Sequence, residues 1–180
     1  MKRISFSQDE KTIQAVWDWY QWQADLSNPR RAELRRQVQK GEPVQDPMFE
    51  GMTLDEVDEF FAELDHLAKF DLVSAAEAAI RIDFFDRVDK RRKDALSRHF
   101  RDIYKGHARL QTVRLDDDIL DAWREHEPAT RRPVSDFKGV LGLRHWLAHG
   151  RYWNPKLGRD YSPGDVYDIA FNLLQAMGVQ

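Results

Sequence analysis

The sequence contains no cysteine among its 180 residues. Disulfides, cysteine-ligated zinc, iron–sulfur clusters and thiol catalysis are therefore excluded. Glycine (9) and proline (7) are few. No apolar run approaches the roughly 18 residues that a transmembrane helix requires. No apolar segment follows the basic residues at 1–5, so we expect no signal peptide, no membrane association and a cytoplasmic location.

Neither sign of charge dominates the chain. Lysine and arginine number 28 against 31 acidic residues, which gives a net charge of −3. This balance argues against a protein that coats nucleic acid without selectivity, although it leaves room for a local basic patch. Hydrophobic residues make up 42% and charged residues 33%, which favours amphipathic helices with solvated outer faces over a sheet buried on both sides.

Apolar residues recur at helical spacing through nearly the whole chain, and this periodicity predicts an all-α fold. The helices are expected to form an antiparallel bundle with short connections and an N-terminal helical extension. We assign residues 1–50 to that extension, a helical hairpin, and residues 51–180 to the bundle. Together they are expected to form one compact unit, because 180 residues is about the length of one domain.

Capping signals predict where the helices begin. The segments Ser7-Gln8-Asp9-Glu10 and Thr53-Leu54-Asp55-Glu56 both have the capping-box pattern. Asn28-Pro29 is typical of a helix start, and it predicts the second helix of the hairpin. Ser162-Pro163-Gly164-Asp165 predicts the start of the last helix in the same way.

Two breaks are expected in the long periodic stretch that follows Thr53, one near Phe70 and one near Asp89. A single helix of that length would be unusual in a globular domain. Residues 128–133, which include two prolines, are expected to form a linker. A helix from about Ser135 to Gly150 should follow that linker.

An arginine on the apolar stripe of this helix is the first candidate functional residue. Arg144 shares the stripe with Val140, Leu141 and Leu147. Burial of a guanidinium group is costly without a partner, so the position needs an explanation. One explanation is an ion pair with an acidic side chain from another helix. The other is a crevice in which the guanidinium binds a phosphate.

Two histidines follow on the same helix. His145 and His149 are four residues apart and share one helical face, which is also the spacing of metal ligands. A zinc site needs at least a third ligand, and the sequence indicates none. We therefore expect neither a metal nor another cofactor at this motif.

Cations and aromatic residues alternate in the loop over residues 151–161. Cations attract phosphates and aromatic faces stack on unpaired bases, so this loop is a candidate substrate-binding element for RNA or a nucleotide. In the alternative interpretation, the aromatic residues only hold the loop against the bundle. The candidate substrate-binding residues are Arg151, Tyr152, Trp153, Lys156 and Arg159.

The segment Arg144-His145-Trp146-Leu147-Ala148-His149 resembles the R-x4-H signature of the HEPN family (higher eukaryote and prokaryote nucleotide-binding domains). Members of that family are all-α bundles, and many are metal-independent ribonucleases that act as dimers. The resemblance implies that His149 removes the proton from a ribose 2′-OH and that Arg144 binds the phosphate. Three roles are open for the third candidate catalytic residue, His145: it orients His149, assists the leaving group or contacts the substrate. The resemblance also implies a homodimer, a possible protein regulator, and a role in a toxin or defence system.

Two other functions remain open at this point. The first is a helical module that binds a nucleotide, RNA or a protein partner without catalysis. The second is a structural protein in which Arg144 forms an internal ion pair. Helical geometry bears on the choice, because residues five apart differ by about 140° around the axis. Arg144 and His149 can therefore cooperate only if the helix opens at its end, or if two subunits share the site.

Overall fold

The computed structural model describes residues 9–106, 112–152 and 157–179. Within these residues the chain is all-α, a bundle of helices without strands, which confirms the predicted fold class. The six α-helices are α1 (Ile13–Lys40), α2 (Leu54–Asp89), α3 (Ala95–Gly106), α4 (Asp121–His126), α5 (Arg131–Ala148) and α6 (Pro163–Met177). A π-helical turn (Leu115–Leu120) precedes α4, and a 3₁₀ turn (Pro128–Thr130) precedes α5.

The first helix begins later than predicted. The Thr12 hydroxyl accepts a hydrogen bond from the Ala15 amide at 3.1 Å, and Ile13 is the first helical residue. Asp9 and Glu10 of the predicted capping box precede the helix, and the other half of that box lies outside the described residues. The predicted start at residue 7 is therefore wrong, and the cap is supplied by Thr12.

The predicted hairpin within residues 1–50 is also wrong, because α1 continues through Pro29. A proline inside a helix removes one backbone hydrogen bond, and contacts with α2 on both sides of Pro29 accompany the continuous helix. On one side the Tyr20 hydroxyl donates to Asp65 at 2.8 Å. On the other side Arg31 donates to Asp58 at 2.8 Å. Tertiary packing thus outweighs the local preference for a break.

The central helix, α2, is 36 residues long, or about 54 Å. The Thr53–Glu56 capping box is confirmed, and so is the end near Asp89. The predicted break near Phe70 is wrong. Small and apolar residues on either side of that point are buried against other helices, so packing supports the helix along its length: Ala68, Leu72, Val73, Ala75 and Ala76.

Helix α5 begins at Arg131, directly after the 3₁₀ turn, so the linker predicted over residues 128–133 is wrong. The Thr130 hydroxyl is buried and bonds to the carbonyl of Trp123 at 2.9 Å, which holds this turn against α4. The start of α6 is confirmed, because Ser162 and Asp165 form the expected capping box. The helix ends at Gly178, which has a φ of 64°.

Two apolar clusters stabilise the bundle. The main core contains residues from all six helices, including Ile13 and Val16 of α1. A smaller cluster contains Leu34, Phe49 and Val57, and it joins the second half of α1 to the start of α2. The long N-terminal helix is thus packed on the bundle near both ends. Among the described residues, no helix combines the length and the apolar character needed to cross a bilayer.

Candidate functional site

The candidate motif lies at the C-terminal end of α5, where the helix ends and the chain turns back. His149 is the cap residue, and its amide donates to the carbonyl of His145 at 3.2 Å. The amide of Arg151 donates to the carbonyl of Trp146 at 3.2 Å. Gly150 and Arg151 have φ values of 80° and 57°, so both occupy the left-handed region that reverses the chain. The motif therefore spans the last turn of α5 and its cap.

The two histidines of the motif lie together on the protein surface. The ring centroids of His145 and His149 are 4.3 Å apart, with the planes tilted by 56°. Both residues are exposed. Two adjacent imidazoles in contact with solvent can exchange protons with a bound substrate, which is the basis of acid–base catalysis.

Arg144 lies against α2 at the edge of the bundle, with its side chain 37% exposed. Its guanidinium lies 5.7 Å from the ring centroid of Phe70. The nearest acidic oxygen is that of Glu77, at 3.8 Å, and Glu77 makes a shorter bond of 2.8 Å to Arg81. Two arginines thus share one carboxylate, which leaves positive charge beside α5.

One atom of Arg144 lacks a partner. The Nε atom is buried and makes no hydrogen bond to the described residues. A buried donor without a partner is uncommon, because its lost hydration is not replaced. Arg144 therefore has the ion pair with another helix that the first interpretation requires, and the exposed part of its guanidinium is what a ligand could contact.

Arg144 and His149 do not share one face of α5. The helix is regular up to Ala148, so the two positions are separated by about 140° around the axis and about 7.5 Å along it. The contacts of Arg144 are with Phe70 and Glu77 of α2, whereas the His149 ring packs on His145. The structure thus brings the two histidines together and directs the arginine to the neighbouring helix.

Arg151 connects the end of α5 to α2. Its guanidinium lies 2.6 Å from a carboxylate oxygen of Glu63 and 2.7 Å from Nδ1 of His66. Because arginine only donates hydrogen bonds, Nδ1 of His66 is an acceptor, and a neutral ring therefore carries its proton on Nε2. The His66 ring also packs edge-on against Trp146, with centroids 6.0 Å apart. Arg151 therefore has a structural role beside the motif, because it links the end of α5 to Glu63 and His66 of α2.

Sequence reasoning missed Glu63 and His66. Both lie on α2, more than 80 residues from Arg151, and they form an ordinary i, i+3 pair on a charged helix face. Such pairs are common on exposed helices and give no signal of a distant partner. Only the packing of α5 against α2 shows that they belong beside the motif.

The electrostatic environment favours a neutral His66. Partial burial, together with the positive charges of Lys69 and Arg151, lowers the pKa of His66, and Glu63 only partly opposes this effect. The hydrogen bond from Arg151 lowers the pKa of Glu63. Burial lowers the pKa of Lys69, against the opposing influence of Asp65 and Asp160. The guanidinium of Arg151 is therefore held in place by a neutral imidazole and an ionised carboxylate.

Acidification should weaken this contact. The pKa of His66 in the folded protein lies below its ordinary value of 6.5, so just below pH 6.5 the unfolded chain binds more protons than the folded one. The free energy of unfolding should then fall as the pH falls through this range. In urea unfolding at about pH 7.5 and about pH 5.5, we expect a larger loss of stability for wild type than for His66→Gln. An equal loss in the two proteins would contradict this assignment.

The loop residues predicted to bind substrate differ in their surroundings. Tyr152 is 83% exposed. The guanidinium of Arg159 lies over the ring of Tyr161, at 4.7 Å from its centroid. Arg151 is held by α2, as described above. Trp153 and Lys156 lie outside the described residues. Tyr152 and Arg159 therefore remain the exposed candidates for contact with a base or a phosphate.

Glycines on α5 allow the end of this loop to approach the helix. A methyl group added at Gly139 would lie 2.8 Å from the hydroxyl oxygen of Tyr161, and one at Gly142 would lie 3.4 Å from Leu157. Tyr161 and Leu157 are partly buried against the main core. The alternative interpretation from the sequence, in which the loop is held against the bundle, thus applies to these two residues.

A cavity of about 770 Å³ lies elsewhere in the bundle. It is bounded by the start of α1, the middle of α2 and the end of α6, with Ile13, Ala79 and Phe171 among its lining residues. None of the motif residues lines it. This cavity is therefore not part of the candidate motif.

Comparison with known proteins adds no further constraint. The chain matches no protein-family model, no curated protein and no solved structure. Any function assigned to the motif therefore rests on the residues and their geometry.

Proposed function

We propose that the protein is a HEPN-like endoribonuclease that cleaves RNA without a metal ion, by attack of a ribose 2′-OH on the adjacent phosphate. The observation that carries this proposal is the end of α5. Two exposed imidazoles are in contact there, and the same helix carries Arg144, whose side chain is 37% exposed and whose ion pair with Glu77 is long, at 3.8 Å. The required chemistry is proton transfer near neutral pH together with stabilisation of a phosphate.

The proposed reaction assigns one role to each residue of the motif. His149 takes the proton from the 2′-OH, and the 2′-oxygen forms a bond to phosphorus. The bond from phosphorus to the 5′-oxygen breaks, and the leaving oxygen takes a proton from His145. Arg144 binds the phosphate and stabilises the charge that develops on its oxygens. The products are a 2′,3′-cyclic phosphate and a 5′-hydroxyl.

A homodimer would bring the arginine and the imidazole to one phosphate. Arg144 and His149 are too far apart around the α5 axis to meet within one straight helix. A two-fold axis beside α5 would place Arg144 of one copy opposite His149 of the other. Tyr152 and Arg159, which are exposed on the following loop, would then contact the flanking nucleotides.

A second candidate function is a module that binds RNA or a nucleotide without cleaving it. This alternative is favoured by two carboxylates near the motif. Glu77 lies near Arg144, and Glu63 binds Arg151. Acidic groups at these positions compete with a phosphate and would weaken the stabilisation of a transition state. Binding through the loop would survive this competition more readily than catalysis.

One experiment tests the proposal and distinguishes the two functions. The purified chain is incubated, in EDTA, with an RNA oligonucleotide and with DNA of the same sequence. We expect cleavage of the RNA alone, because DNA lacks the 2′-OH. A mobility shift of intact RNA without new termini would support the binding module, and neither cleavage nor a shift would contradict both functions.

A further inference from the structure

A second group of metal-ligating side chains lies outside the α5 motif, where α3 meets the end of α4. His99 is on α3, and Glu125 and His126 are the last two residues of α4. One ligand atom from each, a ring nitrogen or a carboxylate oxygen, lies within 4.8 Å of the other two. The rings of His99 and His126 have centroids 5.0 Å apart.

The polar atoms of this cluster lack other partners in the described part of the chain. The Nε2 atom of His126 is buried and makes no hydrogen bond there. The neighbouring cation, Arg124, is already bonded to Asp121 at 2.9 Å, which leaves Glu125 outside that ion pair. A buried nitrogen without a partner is destabilising unless a ligand binds it.

We propose that His99, Glu125 and His126 bind one divalent transition-metal ion, and that zinc is the ion they fit. Two imidazoles and one carboxylate are ligands of intermediate softness, a set that suits zinc better than calcium or magnesium. Zinc commonly has three such protein ligands, with water in a fourth position. This site is separate from the proposed ribonuclease motif, which needs no metal.

The spacing is compatible with such a site. Tetrahedral zinc with bonds of about 2.0–2.1 Å places its ligand atoms about 3.3 Å apart. The observed spacing of up to 4.8 Å exceeds this value by at most about 1.5 Å, a distance that rotation of side chains can cover. The ion would join α3 to the end of α4, two helices separated in sequence by residues 107–120. Closing that connection would stabilise the fold in the presence of metal.

Titration calorimetry with zinc chloride tests this proposal on the full chain after treatment with chelator. We expect one zinc ion per chain, and an affinity reduced about a hundredfold or more in His99→Gln and in Glu125→Gln. Cobalt(II), used as a spectroscopic substitute, should give the strong visible bands of a tetrahedral site in wild type only. Zinc at a hundred times its Kd should raise the thermal midpoint of wild type by about 5–10 °C.

The chain supplies a matched control. The double variant His145→Gln/His149→Gln removes the other close pair of imidazoles, which has no third ligand among the described residues. This variant should keep the zinc affinity of wild type, and circular dichroism should show that each variant remains helical. Loss of zinc binding in the control, or retention of wild-type affinity in both His99→Gln and Glu125→Gln, would overturn the proposal. His99→Gln should still cleave RNA in EDTA, because the proposed ribonuclease motif needs no metal. Failure of the zinc site can therefore be distinguished from failure of the proposed function.

Discussion

Replacement of His149 by alanine should abolish RNA cleavage. In the proposed reaction this imidazole is the general base, and removal of a positioned base costs about 10²- to 10⁴-fold in rate. Arg144→Ala should lower kcat/KM by about 10²- to 10³-fold, because charge on the phosphate oxygens would lose its nearest cation. Single-turnover assays on one RNA substrate in EDTA give both values. The unfolding free energy of each variant, measured in parallel, separates lost chemistry from lost folding.

Arg132 provides a control for the effect of Arg144. It lies on the same helix, its side chain is 92% exposed, and its ion pair with Asp136 is long at 3.8 Å. Arg132→Ala removes the same charge from α5 and should leave cleavage unchanged. If Arg144→Ala and His149→Ala both cleave RNA at the wild-type rate, the motif is not the active site.

A mixture of the two inactive variants tests whether subunits share the site. Random assembly of Arg144→Ala and His149→Ala subunits gives one-half mixed dimers, and each mixed dimer has one site with both side chains intact. Activity should return to about a quarter of the wild-type value. No recovery from a mixture that is shown to contain mixed dimers would contradict the shared site.

Phe137→Ala should have the largest effect on stability among the substitutions considered. Phe137 is fully buried in the main core, on the helix that carries the motif. Loss of its ring would leave a cavity and should lower the free energy of unfolding by about 3–5 kcal/mol. Guanidinium chloride unfolding measures this loss, and the denaturant slope should remain near that of wild type if the native fold is retained.

An exposed aromatic residue serves as the comparison for this substitution. Trp22 on α1 is 60% exposed, so Trp22→Ala should change stability by no more than about 0.5 kcal/mol. A loss below 1 kcal/mol for Phe137→Ala, or an equal loss for the two variants, would show that α5 is not anchored as described.

Local sequence signals account for part of this fold. The starts of α2 and α6 were predictable, because Thr53 and Ser162 form capping boxes with residues three positions away. The continuity of α1 through Pro29 and of α2 through Phe70 was not predictable. In both places the unbroken helix is packed against other helices, and a short segment of sequence does not show which distant residues it will contact.

The candidate site has the same division between local and distant contributions. The adjacent positions of His145 and His149 follow from helical spacing, and the sequence identified Arg144 as a residue that needs a partner. The partners themselves were not identifiable, since Glu77 and Glu63 are ordinary acids on a charged helix. The cluster of His99 with Glu125 and His126 was missed for the same reason, because the first ligand and the next are 26 positions apart in the sequence.

The end groups left on a cleaved oligoribonucleotide test the central claim most directly. Mass spectrometry of the products formed in EDTA should find a 2′,3′-cyclic phosphate and a 5′-hydroxyl. A single 2′-deoxy substitution at the cleaved position should stop the reaction, and so should His149→Ala. A 3′-hydroxyl with a 5′-phosphate, cleavage beside the 2′-deoxy residue, or the same products from His149→Ala would contradict the proposed reaction.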